Sequence, residues 1–361
     1  MSQTQIAFVY ADDLWTVARA GGEASRLTST GAVEGAPFFS PDGRLIAFNQ
    51  RAAGNQDAYV IPAGGGAVKR LTYHPAGNDV IGWTPDGRNV MVTGAQTSFN
   101  DFTRMFLVHA DGSGLPEETK LPSVDEASYS PDGSHIAYTP VNQWQRASWK
   151  RYRGGQTEPI WIVDAKTLDL VKVPRENSND TNPQWMGDAV YFLSDRNGPV
   201  TLFQYDTKTR AVTQLVENKG LDLKSMTAGP GGLVYEQFGS LHVYDTAAGA
   251  EHAVTITLGG DLPKLAAGIR PVRPEEIQSV GMSPTGARAV FEAHGDVFTV
   301  PVEKGDVRNL TNTSGAAERE PAWSPDGKRL AYFSDASGEY QLYLRDQDGI
   351  AAPKVIDLGV C

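Results

Sequence analysis

Apolar and polar positions in this chain alternate in short runs, each closed by a turn rich in Pro, Asp and Gly, a pattern that predicts many short strands. The clearest unit spans 321–335. Ala322 and Trp323 end one strand, Ser324-Pro325-Asp326-Gly327 makes a tight turn, and Arg329 to Ser334 form the next strand. Proline presets φ at about −65° for the first central position, aspartate hydrogen-bonds local backbone, and glycine accepts the positive φ that follows. Leu330 and Tyr332 alternate with Ala331 and Phe333, as expected of a strand covered on both faces.

The unit recurs. Ser40-Pro41-Asp42-Gly43, Thr84-Pro85-Asp86-Gly87 and Ser130-Pro131-Asp132-Gly133 each lead into an apolar strand, and Ser283-Pro284-Thr285-Gly286 does so with Thr in place of Asp. Two worn copies start at Trp185 and Ala228. The spacing of about 40 to 50 residues is the period of a four-stranded propeller blade. The predicted fold is therefore all-β, a β-propeller of four-stranded antiparallel blades. Residues 1–28 hold three strands, at 5–10, 14–19 and 23–28, and lack a first. That blade is incomplete at its inner strand unless later residues of the chain supply it. Further blades run over about 33–73, 77–121, 123–174, 178–217, 221–257, 275–312 and 316–358.

Residues 258–274 carry three Pro and break the rhythm, so they read as a connection. Two arrangements follow. Either residues 1–260 close a six-bladed ring, with 261–274 a linker and 275–361 two blades beginning a second propeller, or all eight close a single ring. Closure matters because an open ring leaves blade faces and strand edges uncovered. The linker favours six plus two.

Composition narrows the function. Apolar content of 40% and charged content of 21% are those of an ordinary folded chain. No apolar run is long enough for a membrane span, and the first ten residues lack the pattern of a signal peptide. A cytoplasmic location is expected, with the periplasm as the alternative if an export signal has been removed. A net charge of −11 argues against nucleic acid as a partner. The single cysteine, Cys361, excludes an intramolecular disulfide and a cysteine metal cage.

No catalytic constellation emerges. None of the six His lies in a nucleophile elbow, no His or Cys pair has ligand spacing, and no Gly-rich loop opens a helix, so no catalytic residue, metal or cofactor is expected. The recurring Asp of the turns are explained by turn chemistry. Trp83, Trp185 and Trp323 each precede a turn and are expected to wedge between blades. One stretch stands out, a long insertion at 143–155 that concentrates cations and aromatics on an acidic protein. Its candidate binding residues are Trp149, Lys150, Arg151, Tyr152 and Arg153. They suit a carboxylate held by guanidinium groups over aromatic rings, or a loop packed on a blade edge with Arg neutralising nearby carboxylates.

The order of blades, the segments Gln5 to Tyr10, Asp13-Leu14-Trp15 and Arg70-Leu71-Thr72-Tyr73-His74, and above all Trp149-Lys150-Arg151-Tyr152-Arg153-Gly154-Gly155, resemble the amino-terminal propeller of the tricorn protease family. The Ser-Pro-Asp-Gly copies are shared with TolB-like propellers. The resemblance implies a six-bladed ring ahead of a seven-bladed one, with a PDZ-like module and a serine protease core beyond both. The expected function is then the non-catalytic propeller portion of a tricorn-like serine peptidase, guiding or filtering peptides toward a core these residues do not contain. The alternatives are a stand-alone TolB-like interaction propeller and a hydrolase with its site in the channel. Peptides or a partner protein are the expected partners, and self-association into a homo-oligomer is left open.

Overall fold

The computed structural model describes residues 1–52, 54–98, 102–140, 151–259 and 272–359. They form eight four-stranded sheets. Blade 2 is Val33–Phe39, Leu45–Ala52, Asn55–Pro62 and Lys69–Arg70, and blade 3 is Asp79–Trp83, Asn89–Gly94, Arg104–His109 and Glu117–Glu118. Blade 4 is Glu126–Tyr129, His135–Thr139, Trp161–Asp164 and Leu170–Lys172. Blade 5 is Asp180–Met186, Ala189–Ser194, Thr201–Asp206 and Val212–Gln214, and blade 6 is Lys224–Gly229, Gly232–Gln237, Ser240–Asp245 and Ala250–Ala253. Each is an antiparallel meander in chain order, as the turn spacing predicts.

The turns behave as their composition dictates. Ser40 Oγ donates to Asp42 Oδ1 at 2.6 Å, the Arg44 N–H donates to the same oxygen at 3.1 Å, and Gly43 sits at φ 71°. The copies at Thr84, Ser130 and Ser324 repeat this pattern.

A second recurring device pins the third strand to the fourth. The Thr72 hydroxyl accepts the Ala58 N–H at 2.9 Å while Arg70 pairs with buried Asp57 at 2.7 Å. In blade 1 Thr28 accepts the Leu14 N–H at 2.9 Å and Arg26 pairs with buried Asp13. This clamp identifies Asp13–Ala18 as a third strand, Gly22–Arg26 as a fourth and Gln5–Tyr10 as a second. Among the described residues no first strand joins blade 1, in line with the sequence pattern.

What later residues supply is a different strand from the missing one. Ile256–Leu258 joins blade 1 at its outer edge, parallel to Gly22–Arg26, with Ile256 opposite Gly22. The inner position, which the sequence leaves empty unless later residues supply it, gains no strand among the described residues. Docking the outer strand requires a close approach at Gly21, which sits at φ +88°, where a Cβ would stand 2.5 Å from the Thr255 carbonyl oxygen. The Gly22 N–H donates to that carbonyl at 2.8 Å.

The ring closes on six blades. Leu14 packs with Ile46 and Phe48 between blades 1 and 2, and corresponding clusters fill the joints from blade 2 through blade 6. The last joint returns to the start, where Val234 and Val243 of blade 6 meet Ile6, Trp15 and Val17 of blade 1. Each fully buried aliphatic side chain contributes roughly 1.5 to 3 kcal/mol, so the six clusters are the main source of stability.

The chain divides into two compact units, Met1–Leu265 and Ala266–Cys361. The second unit holds blade 7 (Ile277–Met282, Arg288–Ala293, Asp296–Pro301 and Arg308–Asn309) and blade 8 (Glu318–Trp323, Arg329–Ser334, Gln341–Asp346 and Lys354–Ile356). Val290, Val297 and Leu310 pack against Leu330, Tyr332 and Tyr343. On the first strand of blade 7, Val280 is 73% and Met282 58% exposed.

Candidate functional site

The first strands of blades 2 to 6 surround the axis of the ring, and most of them are not regular. The pairing register slips between Gly35 and Phe38, Val80 and Gly82, Thr181 and Gln184, and Lys224 and Thr227. Each slip is a β-bulge, which frees backbone groups from the ladder and turns the strand. Left-handed φ angles mark three of them, at Ala36 (48°), Asn182 (51°) and Ser225 (53°).

The freed N–H groups find acceptors on the preceding blade. Val80 donates to Asn49 Oδ1 at 2.7 Å, Asn182 to Glu126 Oε2 at 2.5 Å, Trp185 to Ser128 Oγ at 2.9 Å and Ala228 to Gln184 Oε1 at 3.0 Å. The bulges therefore stitch blade to blade around the axis, leaving no buried donor wasted at these positions. Sequence reasoning missed them. The available signal is the proline that follows the left-handed residue, Pro37 after Ala36 and Pro183 after Asn182, because proline inside a strand is confined to edges and bulges.

At the end of the axis rimmed by the Ser-Pro-Asp-Gly turns lies a cavity of about 630 Å³. Phe39, Trp83, Tyr129 and Trp185 line it from four blades, together with Ser128 and Gln184. The segment 1–4, leading into blade 1, lines it too. The lining thus mixes aromatic faces with hydrogen-bonding groups and one carboxylate, that of Asp42. The Trp wedge is seen at Trp83, whose indole N–H donates to the Phe38 carbonyl of blade 2 at 2.9 Å. Trp185 is only half-buried and faces His135 across 6.0 Å. Both line a second cavity of about 590 Å³ between blades 4 and 5.

The rim turns are acidic. Hydrogen bonds from Ser130 and from the Ser134 backbone hold the Asp132 carboxyl down at about 2, and Asp42 and Asp86 are lowered for the same reason. Among the described residues no group of three His, Cys, Asp or Glu is placed to hold a metal ion, and no helix is long and apolar enough to cross a membrane.

Of the insertion in blade 4, Trp149 and Lys150 lie outside the described residues. Arg151 sits at φ 51°. Arg153 is committed to blade 5, where Nη1 donates to Asp195 Oδ2 at 2.7 Å and Nη2 to the Asp195 carbonyl at 2.9 Å. Asp195 is 2% exposed and also accepts the backbone N–H and the Nδ2 of Asn179, each at 2.8 Å. Asn179 Nδ2 reaches back to the Tyr152 carbonyl at 3.0 Å. Tyr152 and Arg153 therefore anchor the end of the insertion to the seam between blades 4 and 5. A neighbouring network centres on fully buried Asp180, which accepts from Ser178, Ser194 and Arg196.

A closed ring of four-stranded blades around an axial cavity defines a β-propeller. Residues 1–250 match the tricorn protease N-terminal beta propeller domain, and the chain belongs to that family. Tricorn protease homolog 1 of Streptomyces coelicolor is 28% identical over 358 residues, covering 96% of this chain and 32% of that protein. Tricorn protease of Thermoplasma acidophilum is 25% identical over 252 residues, covering 67% of this chain and 23% of that protein. The crystal structure of the tricorn protease superposes with a TM-score of 0.65 at 18% identity, covering 98% of this chain and 44% of that one. The chain thus spans a third or less of the length of these curated relatives.

Proposed function

We propose that the ring is the non-catalytic part of a tricorn-like serine peptidase and that it passes or filters peptides along its axis toward a protease core. The observation that carries this reading is the axial cavity, lined by five aromatic residues from four blades within a ring closed on six blades. Membership of the tricorn propeller family supports it. In this reading the Trp149 to Arg153 loop, anchored through Asp195, meets the carboxyl end of a passing peptide. The two-blade unit is the opening of a second ring, which accounts for the apolar exposure of Val280 and Met282.

Narrowing the cavity tests the reading. Gln3 and Thr4 line it and are exposed, so a Gln3→Trp, Thr4→Trp variant fills space without emptying the core. In the full-length protein, hydrolysis of peptides of ten or more residues is expected to slow several-fold, with di- and tripeptide substrates affected less. Equal rates for long and short substrates in variant and parent would overturn the axial route.

A further inference from the structure

We propose that the inner edge of Gln5–Tyr10 captures an extended peptide as the missing first strand of blade 1. The inference rests on the reading of the ring as a peptide passage and names the groups that would hold the peptide.

In blades 2 to 6 the second strand is paired on both sides, by a first strand toward the axis and a third strand away from it. In blade 1 the equivalent strand, Gln5–Tyr10, pairs only with Asp13–Ala18. Among the described residues no strand pairs with its other edge. The register says which groups face that edge. Tyr10 lies opposite Asp13 across the two-residue turn Ala11-Asp12, both at left-handed φ, so Tyr10 and Asp13 exchange hydrogen bonds. Alternation then points the backbone of Phe8, Ile6 and Thr4 at the third strand, and the Arg19 N–H indeed donates to the Thr4 carbonyl at 2.8 Å. The N–H and C=O groups of Gln5, Ala7 and Val9 point the other way.

Gln5 is already satisfied. Its carbonyl accepts the Ser2 N–H at 2.8 Å and its N–H donates to Ser2 Oγ at 3.0 Å. This folded-back turn occupies one end of the open position. Ala7 and Val9 follow, with no hydrogen bond to their backbone groups among the described residues. Val9 and Tyr10 are 38% and 39% exposed, unusual for a strand in second position, where the core blades bury nearly every residue.

The occupant is defined by this geometry. Four backbone groups on alternate residues, continuous with the axial cavity through residues 1–4, fit an extended peptide of about five residues running antiparallel to Gln5–Tyr10. Recognition through main-chain groups is tolerant of sequence, as a passage for many peptides requires. An unpaired strand edge is otherwise a liability that proteins cover or blunt.

The test uses the full-length protein and a fluorescently labelled, apolar decapeptide followed by anisotropy. Ala7→Pro and Val9→Pro each remove one outward N–H and leave the ladder to Asp13–Ala18 intact, so the fold survives while the edge is blocked. Each is expected to weaken binding at least tenfold. The same decapeptide N-methylated at alternate residues is expected to lose affinity for the unaltered protein by a similar factor, a readout that does not depend on the variants folding. Hydrogen exchange at the Ala7 and Val9 amides is expected to be fast in the free protein and slowed by the peptide. Binding unchanged by both proline substitutions and by N-methylation would overturn edge pairing and leave the axial passage standing. Absence of binding by any peptide would sink both. Amides already protected without peptide would mean that the protein's own chain fills the position, which overturns the proposal.

Discussion

Asn182 and Glu126 meet across the joint between blades 5 and 4 through two hydrogen bonds, from the Asn182 backbone N–H to Oε2 at 2.5 Å and from Asn182 Nδ2 to Oε1 at 2.8 Å. One carboxylate thus receives both donors of a residue whose left-handed backbone exists because of a bulge. The bulge and its acceptor form one device, repeated with other residues at Val80 with Asn49 and Ala228 with Gln184. Hydrogen bonds to a charged acceptor contribute about 1.5 to 3 kcal/mol. Glu126→Ala should therefore lower stability by about 2 kcal/mol in urea titration of residues 1–265. Glu126→Gln, which keeps one acceptor oxygen, should lose less.

Arg153 is predicted to matter first for stability. Removing it leaves buried Asp195 without its cation, at a cost of about 2 kcal/mol after allowing for its partial exposure. Arg153→Ala should lower the melting temperature by several degrees, and Asp195→Asn in the same chain should recover part of the loss. Arg151→Ala should weaken binding of peptides with a free carboxyl terminus relative to amidated ones. Equal affinity for both peptide forms in parent and variant would reduce the loop to packing.

Ring closure has its own handle at Gly21. A Cβ there collides with the Thr255 carbonyl oxygen at 2.5 Å, and φ of +88° strains any other residue. Gly21→Ala should displace Ile256–Leu258 and expose its flank to protease. Limited trypsin digestion should then cut near the end of the ring within minutes, with the parent resistant over the same time.

The pH dependence follows from the rim turns. The folded pKa values of Asp42, Asp86 and Asp132 lie below the ordinary carboxylate value. Their contribution is present above about pH 4 and disappears as pH falls through the folded values, near 2 for Asp132. Glu318 has the opposite sign. Burial raises its pKa, so its ionised form opposes folding of blades 7 and 8 and that cost appears as pH rises through the raised value. Acid titration of Ser130→Ala, which removes the hydroxyl donor to Asp132, should show a shallower loss of stability between pH 4 and 2.

Much of this architecture was legible because propeller signals are local. The Ser-Pro-Asp-Gly turns specify their own hairpins through hydrogen bonds spanning two to five residues, and they repeat at the blade period. Even the missing strand of blade 1 could be counted. The outer strand could not, since three residues, Ile256 to Leu258, pair with Gly22 to Ala24 more than two hundred positions away. The bulges carried a weak signal in Pro37 and Pro183, but their acceptors Glu126 and Ser128 sit on another blade. The partner of Arg153 was hidden for the same reason, 42 residues downstream at Asp195.

The most direct measurement of the central claim is photo-crosslinking of a bound peptide carrying a benzophenone side chain at its centre, followed by mapping of the attached residues in the full-length protein. Attachment is expected along the axis, at Phe38, Tyr129 and Gln184 and beside Ala7 and Val9. Attachment confined to the outer strands Lys69–Arg70, Glu117–Glu118 and Leu170–Lys172 would contradict it.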